Sequence, residues 1–296
     1  MITDIRLAGQ QLAAPRFDTP KKLISWMGAI QAQDYAMARW AVGIRLKSAT
    51  ARSVGEAFSR GEILRTHVMR PTWHLVAAED IRWMLKLSAR RIRSANESLA
   101  KGRQLELTEQ LHYRCDRLLE KMLEGNRNLT KQQIGEELNR QGIAADTPRL
   151  TRLLMRAETE AVVCSGPFSG GRQTYALLEE RVPPVPELHP DEALAKLATA
   201  YFRSHSPASL QDFVWWSGLS VTEARHSVGL IGRSLTAERF GQRELFVHES
   251  CRAAETSGVP LYLLPASDEY LFGYKPRTDL LRPEHRARAF TNYGIF

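Results

Sequence analysis

Residues 108–177 hold one arrangement that constrains the fold more than any other: three capped helical segments followed by two strands around a glycine-rich turn. TEQLHYRCDRLLEKML (108–123) sets Leu111, Cys115, Leu118, Leu119 and Met122 on one stripe, at the spacing of a buried helix face. Gly125 and the polar run after it end that helix. Thr130 then caps KQQIGEELNRQG, with Gln133 at the third helical position and Gly142 just past the end. Thr147 and Pro148 are the expected N-cap and first-position proline of RLTRLLMRAETEA. On that helix Leu150, Leu153, Leu154 and Ala157 face inward, and Arg149, Arg152 and Arg156 lie on the other side. VVCSGPFSGGRQTYALL, which contains Arg172, reads as the two strands.

Three helices and a hairpin in this order are a winged helix, a relative of the helix-turn-helix motif. Its third helix is the natural groove reader and its hairpin is the wing. Arg149, Arg152, Arg156 and, on the hairpin, Arg172 are therefore the candidate DNA contacts. The plainer alternative, a solvated arginine face, stays open for an isolated helix. The agreement of caps, turns and hairpin favours the DNA-facing reading.

The same unit recurs on both sides. After the Pro-rich RVPPVPELHP (181–190), three helical segments run through DEALAKLATAYFRSH, SPASLQDFVWWSG and SVTEARHSVGLIG. RSLTAERFGQRELFVHES supplies the third wing. Upstream, FDTPKKLISWMGAIQ opens on Asp18, Thr19 and Pro20, SVGEAFSRG is a short helix, and ILRTHVM and TWHLVAA form a hairpin split by Arg70-Pro71. The expected fold is mainly α with small β wings, in three tandem winged-helix units at 1–104, 105–182 and 183–296.

Charge points to the partner. The 296 residues include 41 basic and 33 acidic ones, a net +8, and 32 of the basic residues are arginine. Arginine pairs bidentately with phosphate and with guanine edges. A polyanion, DNA above all, accounts for this excess, and so does arginine-rich coding. No apolar run approaches the length of a membrane helix, so no membrane partner is expected. The N-terminus has no secretory pattern. Cys115, Cys164 and Cys251 are odd in number and widely spaced, as reduced thiols in a cytoplasm would be.

Zinc-protease, phosphate-loop, serine-hydrolase and paired-cysteine signatures are absent, and the 8 histidines lack metal-ligand spacing. No metal and no cofactor are expected. His112 and His226 read as structural, and Trp215 and Trp216 as core. One polar feature stands apart: Gln31-Ala32-Gln33, after the apolar helix of Leu23, Trp26, Met27 and Ile30. Residues two apart in an α-helix point about 200° from each other, so the amides share a pocket only if the helix ends first. On an extended segment both fall on one side. Spacing alone favours a pair of surface glutamines at a helix end.

WMGAIQAQDYAMARWAVGIR (26–45), LRTHVMRPTWHLVAAEDIRWML (64–85) and LYLLPASDEYLFGYKPRTDLLRPEHRARAF (261–290) resemble, in order and separation, the signatures of the AlkZ/YcaQ-like family of bacterial winged-helix DNA glycosylases. The resemblance covers essentially the whole chain, and the Gln-x-Gln element matches the branch with glutamine at both positions. It implies a C-shaped, basic DNA-binding channel and a monofunctional hydrolase of alkylated bases, including bulky N7-alkyl purines and crosslinks. By this resemblance Gln31 and Gln33 are catalytic, with Gln33 the candidate to hold the nucleophilic water and Gln31 to support it or the sugar. Thr72, Trp73, His74 and Asp268 fall in the other two signatures and are candidate pocket residues, while Asp34 and Asp268 either assist or cap backbone. The expected partner is double-stranded DNA containing alkylated bases, bound by a monomer. Family members continue past the point where this chain ends in FTNYGIF, so a truncation at Phe296 is expected. The alternative from another class is a winged-helix transcription regulator without catalysis. It is weakened by three units in one chain and by the lack of a leucine-rich dimerisation helix.

Overall fold

A computed structural model describes residues 2–253, 261–276, 280–281 and 283–285, and in it helices dominate while the sheets are small. Packing divides the chain into two units, Met1–Gly55 with Leu188–Phe296, and Glu56–Glu187. The boundaries expected from element order, 104/105 and 182/183, differ from this division. The hairpin assigned to the first winged helix lies in the same packed unit as the whole second one.

The first unit opens with α1 (Ile2–Gly9) and α2 (Pro20–Met27). Thr19 caps α2 by accepting the Lys22 N–H, and Pro20 takes the first helical position, where no N–H is needed. Gly28 ends α2 at φ 81°, and a Cβ there would lie 2.9 Å from the Ala200 methyl. β1 (Ile30–Gln31) and α3 (Tyr35–Gly43) follow, and α4 (Ala51–Ser59) contains the Gly55/Glu56 boundary.

In the second unit β2 (Ile63–Val68) and β3 (Thr72–Ala77) pair antiparallel, with His67 opposite Trp73. After α5 (Ile81–Gly102) come α6 (Glu109–Leu123), β4 (Leu129–Thr130), α7 (Lys131–Arg140) and α8 (Thr147–Thr159). β5 (Val163–Ser169), β6 (Arg172–Leu177) and α9 (Leu178–Arg181) complete it. The three strands form a sheet in the order β4-β6-β5. Cys115, Leu119, Ile134, Leu138, Leu150, Leu153, Leu154 and Val163 share one buried core, with Leu111, Leu118 and Met122 packed at its edge. Thr130 and Gln133 form the expected capping box. The cap of α8 differs by one residue: Asp146, not Thr147, accepts the Arg149 N–H at 2.9 Å. A carboxylate is a stronger acceptor than a hydroxyl at the positive end of the helix dipole.

The first unit resumes with α10 (Pro190–His205), α11 (Leu210–Ser217) and α12 (Val221–Leu230), then β7 (Leu235–Phe240) and β8 (Arg243–His248). Ala208 stands in for a first strand, exchanging both backbone hydrogen bonds with Phe246 of β8 at 3.1 and 2.8 Å. The order helix, extended residue or strand, helix, helix, hairpin is thus complete in 190–248 as in 109–177, and the elements of 20–77 follow the same order. Tyr201, Phe202, Phe213 and Trp216 fill the core of this region, and Trp216 is fully buried as expected. Trp215 is instead 37% exposed, with its indole N–H on the Phe272 carbonyl at 3.0 Å, which corrects the core reading for that residue. α13 (Glu269–Phe272) follows the wing. The expected truncation at Phe296 concerns residues outside those described. Among the described residues no helix is long and apolar enough to cross a membrane.

Candidate active site

Gln31 and Gln33 lie beyond the end of α2. The chain leaves the helix at Gly28, runs extended through β1, and re-enters a helix only after Asp34. Asp34 caps α3, its Oδ1 accepting the Ala36 and Met37 N–H groups at 2.8 and 3.1 Å, so this carboxylate holds backbone. Between the two glutamines Ala32 is buried, Gln31 ends the two-residue strand β1, and Gln33 lies in the bend that follows it. Gln33 is exposed, Gln31 is half-buried, and the Gln31 Oε1 is a buried acceptor with no hydrogen-bond partner among the described residues.

The third signature packs directly beneath this segment. Asp268 is fully buried in a bidentate ion pair with Arg45, at 2.8 and 2.7 Å, and its Oδ1 also accepts the Tyr270 N–H that opens α13. Asp268 thus takes the backbone-capping alternative, its two oxygens engaged by Arg45 and by the start of α13. Arg45 in turn donates to the Gln10 Oε1 at 3.1 Å, and the Gln10 amide donates to the Tyr274 hydroxyl at 3.3 Å. The neighbouring Glu269, which the sequence reading did not single out, is 1% exposed. Its Oε1 accepts the Gln31 backbone N–H at 2.6 Å and its Oε2 accepts the Trp216 indole N–H at 3.1 Å. The His205 Nε2 lies 3.7 Å from the same Oε2. The one signal for Glu269 was its place beside Asp268 in an apolar stretch, where a second buried carboxylate needs a partner.

Thr72, Trp73 and His74 stand on β3, in the other packed unit. His74 is fully buried, with its Nδ1 3.0 Å from the Thr72 carbonyl. The Trp73 ring meets the His67 ring at 4.0 Å, and the Arg65 guanidinium sits 4.4 Å from its centroid. Trp73 thus packs on its own hairpin. The His67 Nδ1 is also 2.6 Å from the buried Glu158 carboxylate.

The arginines of α8 divide. Leu150, Leu153 and Leu154 are buried as expected. Arg156, however, is 8% exposed and held by Glu109 and Glu160, which corrects the expectation that it faces solvent or a channel. The physical reason is that α8 packs along α5 instead of standing free, with the Asn96 amide donating to the Arg152 carbonyl at 2.9 Å. Arg152 is half-buried against Met155, and burial together with nearby Arg103 holds its pKa below the ordinary value. Arg149 donates to the Glu106 carbonyl at 3.1 Å. Arg172, at the start of β6, is exposed and donates to the Gln132 side chain at 2.9 Å.

A family profile described as DNA glycosylase AlkZ-like matches residues 24–296. A Streptomyces sahachiroi protein named interstrand DNA cross-link repair glycosylase is 26% identical over 303 aligned residues, which span 94% of this chain and 78% of that protein. The solved structure of Streptomyces sahachiroi DNA glycosylase AlkZ shares the fold, with a TM-score of 0.76 at 23% identity over 100% of this chain and 82% of that one. The profile match runs through Gln31-Ala32-Gln33, the β2–β3 hairpin and the Asp268-Glu269 pair, and the chain belongs to the AlkZ-like family of DNA glycosylases.

Proposed function

We propose that this glycosylase hydrolyses the N-glycosidic bond of N7-alkylated purines in duplex DNA, bulky or crosslinked adducts included, and that Gln31 and Gln33 carry the reaction. The observation behind the reading is that Gln31 and Gln33 lie outside any helix, flanking the buried Ala32, so the roughly 200° separation a helix would impose on their amides does not apply. The name of the Streptomyces sahachiroi relative supports crosslinked DNA as a substrate class.

N7 alkylation places a positive charge on the purine, so the base leaves without being protonated. When the C1′–N9 bond breaks, its electron pair neutralises that cation. Water adds to C1′ of the oxocarbenium-like sugar and releases one proton to solvent, giving free base and an abasic site. The enzyme then has to place a water against C1′ and shield the developing charge. An amide oxygen does this as an acceptor without taking the proton. Such a site is weak on uncharged bases, which spares undamaged DNA.

The test is excision from duplex containing N7-methylguanine, read as abasic sites. Gln33→Ala should keep the fold and duplex affinity and lose about 10²–10³ in rate, the usual cost of one well-placed polar group in a preorganised site. Equal excision by wild type and Gln33→Ala would overturn the role of the segment. No excision by wild type on any alkylated duplex would return the chain to a DNA-binding protein without catalysis.

A further inference from the structure

Glu269 holds the backbone on which both glutamines depend. A carboxylate taken out of water is costly unless partners compensate it fully. Here the partners come from separate elements: the Gln31 N–H of β1 on Oε1, and the Trp216 indole of α11 on Oε2, with His205 of α10 beside it. Tyr201 and Trp216 flank His205, with ring centroids 4.7 and 5.5 Å away. The 2.6 Å distance to Gln31 is that of a charge-assisted bond, the strong class of hydrogen bond.

What the carboxylate gains is control of β1. Holding the Gln31 N–H orients the Ile30–Gln31 peptide plane, from which the Gln31 side chain departs. Gln33 follows two residues on, in the bend between this anchor and the Asp34 cap of α3. Asp268, one residue away, is latched to Arg45 just past the C-terminal end of α3. The Asp268-Glu269 pair therefore grips the segment on both sides of α3, before it at Gln31 and after it at Arg45. We propose that Glu269 is a positioning residue for the glycosylase reaction, acting through the Gln31 backbone to set the two amides. This rests on the reading that Gln31 and Gln33 carry the chemistry.

The test is single-turnover excision on N7-methylguanine duplex, with duplex affinity and thermal melting measured in parallel. Glu269→Gln keeps the shape, but its amide accepts from only one of the two donors and turns an NH₂ toward the other. The expected result is at least a tenfold lower rate with full amplitude and affinity within about twofold. A merely structural role would lower the amplitude and the melting temperature and leave the rate of the folded fraction unchanged, which would overturn the proposal. Glu269→Gln should cost less in the Gln33→Ala background than in wild type, because one of the two amides it sets is already gone. Fully multiplicative losses would overturn it. If Glu269→Gln fails to fold, Glu269→Asp is read by the same criteria, since it keeps the charge and shortens the reach. A Gln33→Ala variant of wild-type rate sinks the parent reading. A crippled Gln33→Ala beside a full-rate Glu269→Gln sinks this proposal alone.

Discussion

Arg156 donates to both carboxylate oxygens of Glu109, at 3.0 and 2.8 Å, bridging the outward side of α8 to the first turn of α6. Its Nε donates to Glu160 at 2.7 Å, and Glu97 lies 4.0 Å away. The hydrogen bond from Arg156 holds the Glu109 carboxyl below its ordinary range. A guanidinium among carboxylates presents no net positive charge to a phosphate. Arg156→Ala should therefore lower stability by about 1–3 kcal/mol, and leave the salt dependence of duplex binding unchanged. Arg172→Ala, on the exposed wing, should reduce the slope of log K against log salt by about one and leave the melting temperature alone. Salt titration of both variants decides the matter, and a smaller slope for Arg156→Ala would reverse the assignment.

The same acidic neighbourhood gives the second unit a pH dependence. Burial, aided by repulsion from Glu160, pushes the Asp116 carboxyl up to about 6. A carboxyl whose folded pKa exceeds its unfolded one contributes most when protonated in both states. Its share of stability is therefore full below about 4 and is lost as pH rises through 6. Other carboxylates, Glu109 among them, push the opposite way, so the group is isolated by difference. Asp116→Asn should be more stable than wild type by about 1–2 kcal/mol at pH 8, a figure reduced for partial exposure. The gain should vanish near pH 4. Equal stability at pH 8 would show that the carboxylate is well solvated.

The caps and stripes of 108–177 were legible because they are local. Thr130 and Gln133 signal to each other three residues apart, and the leucines of α8 repeat at helical spacing. The wings at 163–177 and 235–248 were legible for the same reason. The fate of Arg156 was not, because only Glu160 is within reach of local spacing, while the helix that covers α8 and the Glu109 carboxylate lie 47 or more residues upstream. Glu269 was hidden by the greater separation of 238 residues from Gln31. Gln31 and Gln33 sit between these cases. The residue spacing stated only that the helix must end if the two amides are to share a pocket, and Gly28 is the residue that ends it.

Gly28 is accordingly a sharp test of how the segment is launched. Its φ of 81° is a conformation that side-chain-bearing residues rarely adopt. An added Cβ would also meet the Ala200 methyl at 2.9 Å and the Trp216 ring at 3.4 Å. Gly28→Ala should destabilise the protein by about 1–3 kcal/mol and slow excision beyond what the unfolded fraction explains, because the exit from α2 rotates with it. Melting curves and single-turnover rates on the folded fraction measure the two effects separately. A variant with wild-type stability and rate would show that the turn is not set by this glycine.

The Arg45–Asp268 pair makes the last prediction, because both side chains are wholly out of water. Replacing one partner of a buried pair leaves a charge that neither solvent nor protein compensates, typically at about 3–5 kcal/mol. Arg45→Met should cost that much and lower the melting temperature by several degrees. Asp268 then stays buried with only the Tyr270 N–H on Oδ1 to hold it. Adding Asp268→Asn to Arg45→Met should recover part of the loss, since a neutral amide keeps an acceptor for the cap and removes the stranded charge. Because Asp268 adjoins Glu269, Arg45→Met should slow excision more than Asp268→Asn rescues it, the grip on α3 being gone in both variants. A double variant less stable than Arg45→Met alone would show that the Asp268 carboxylate is held by more than Arg45.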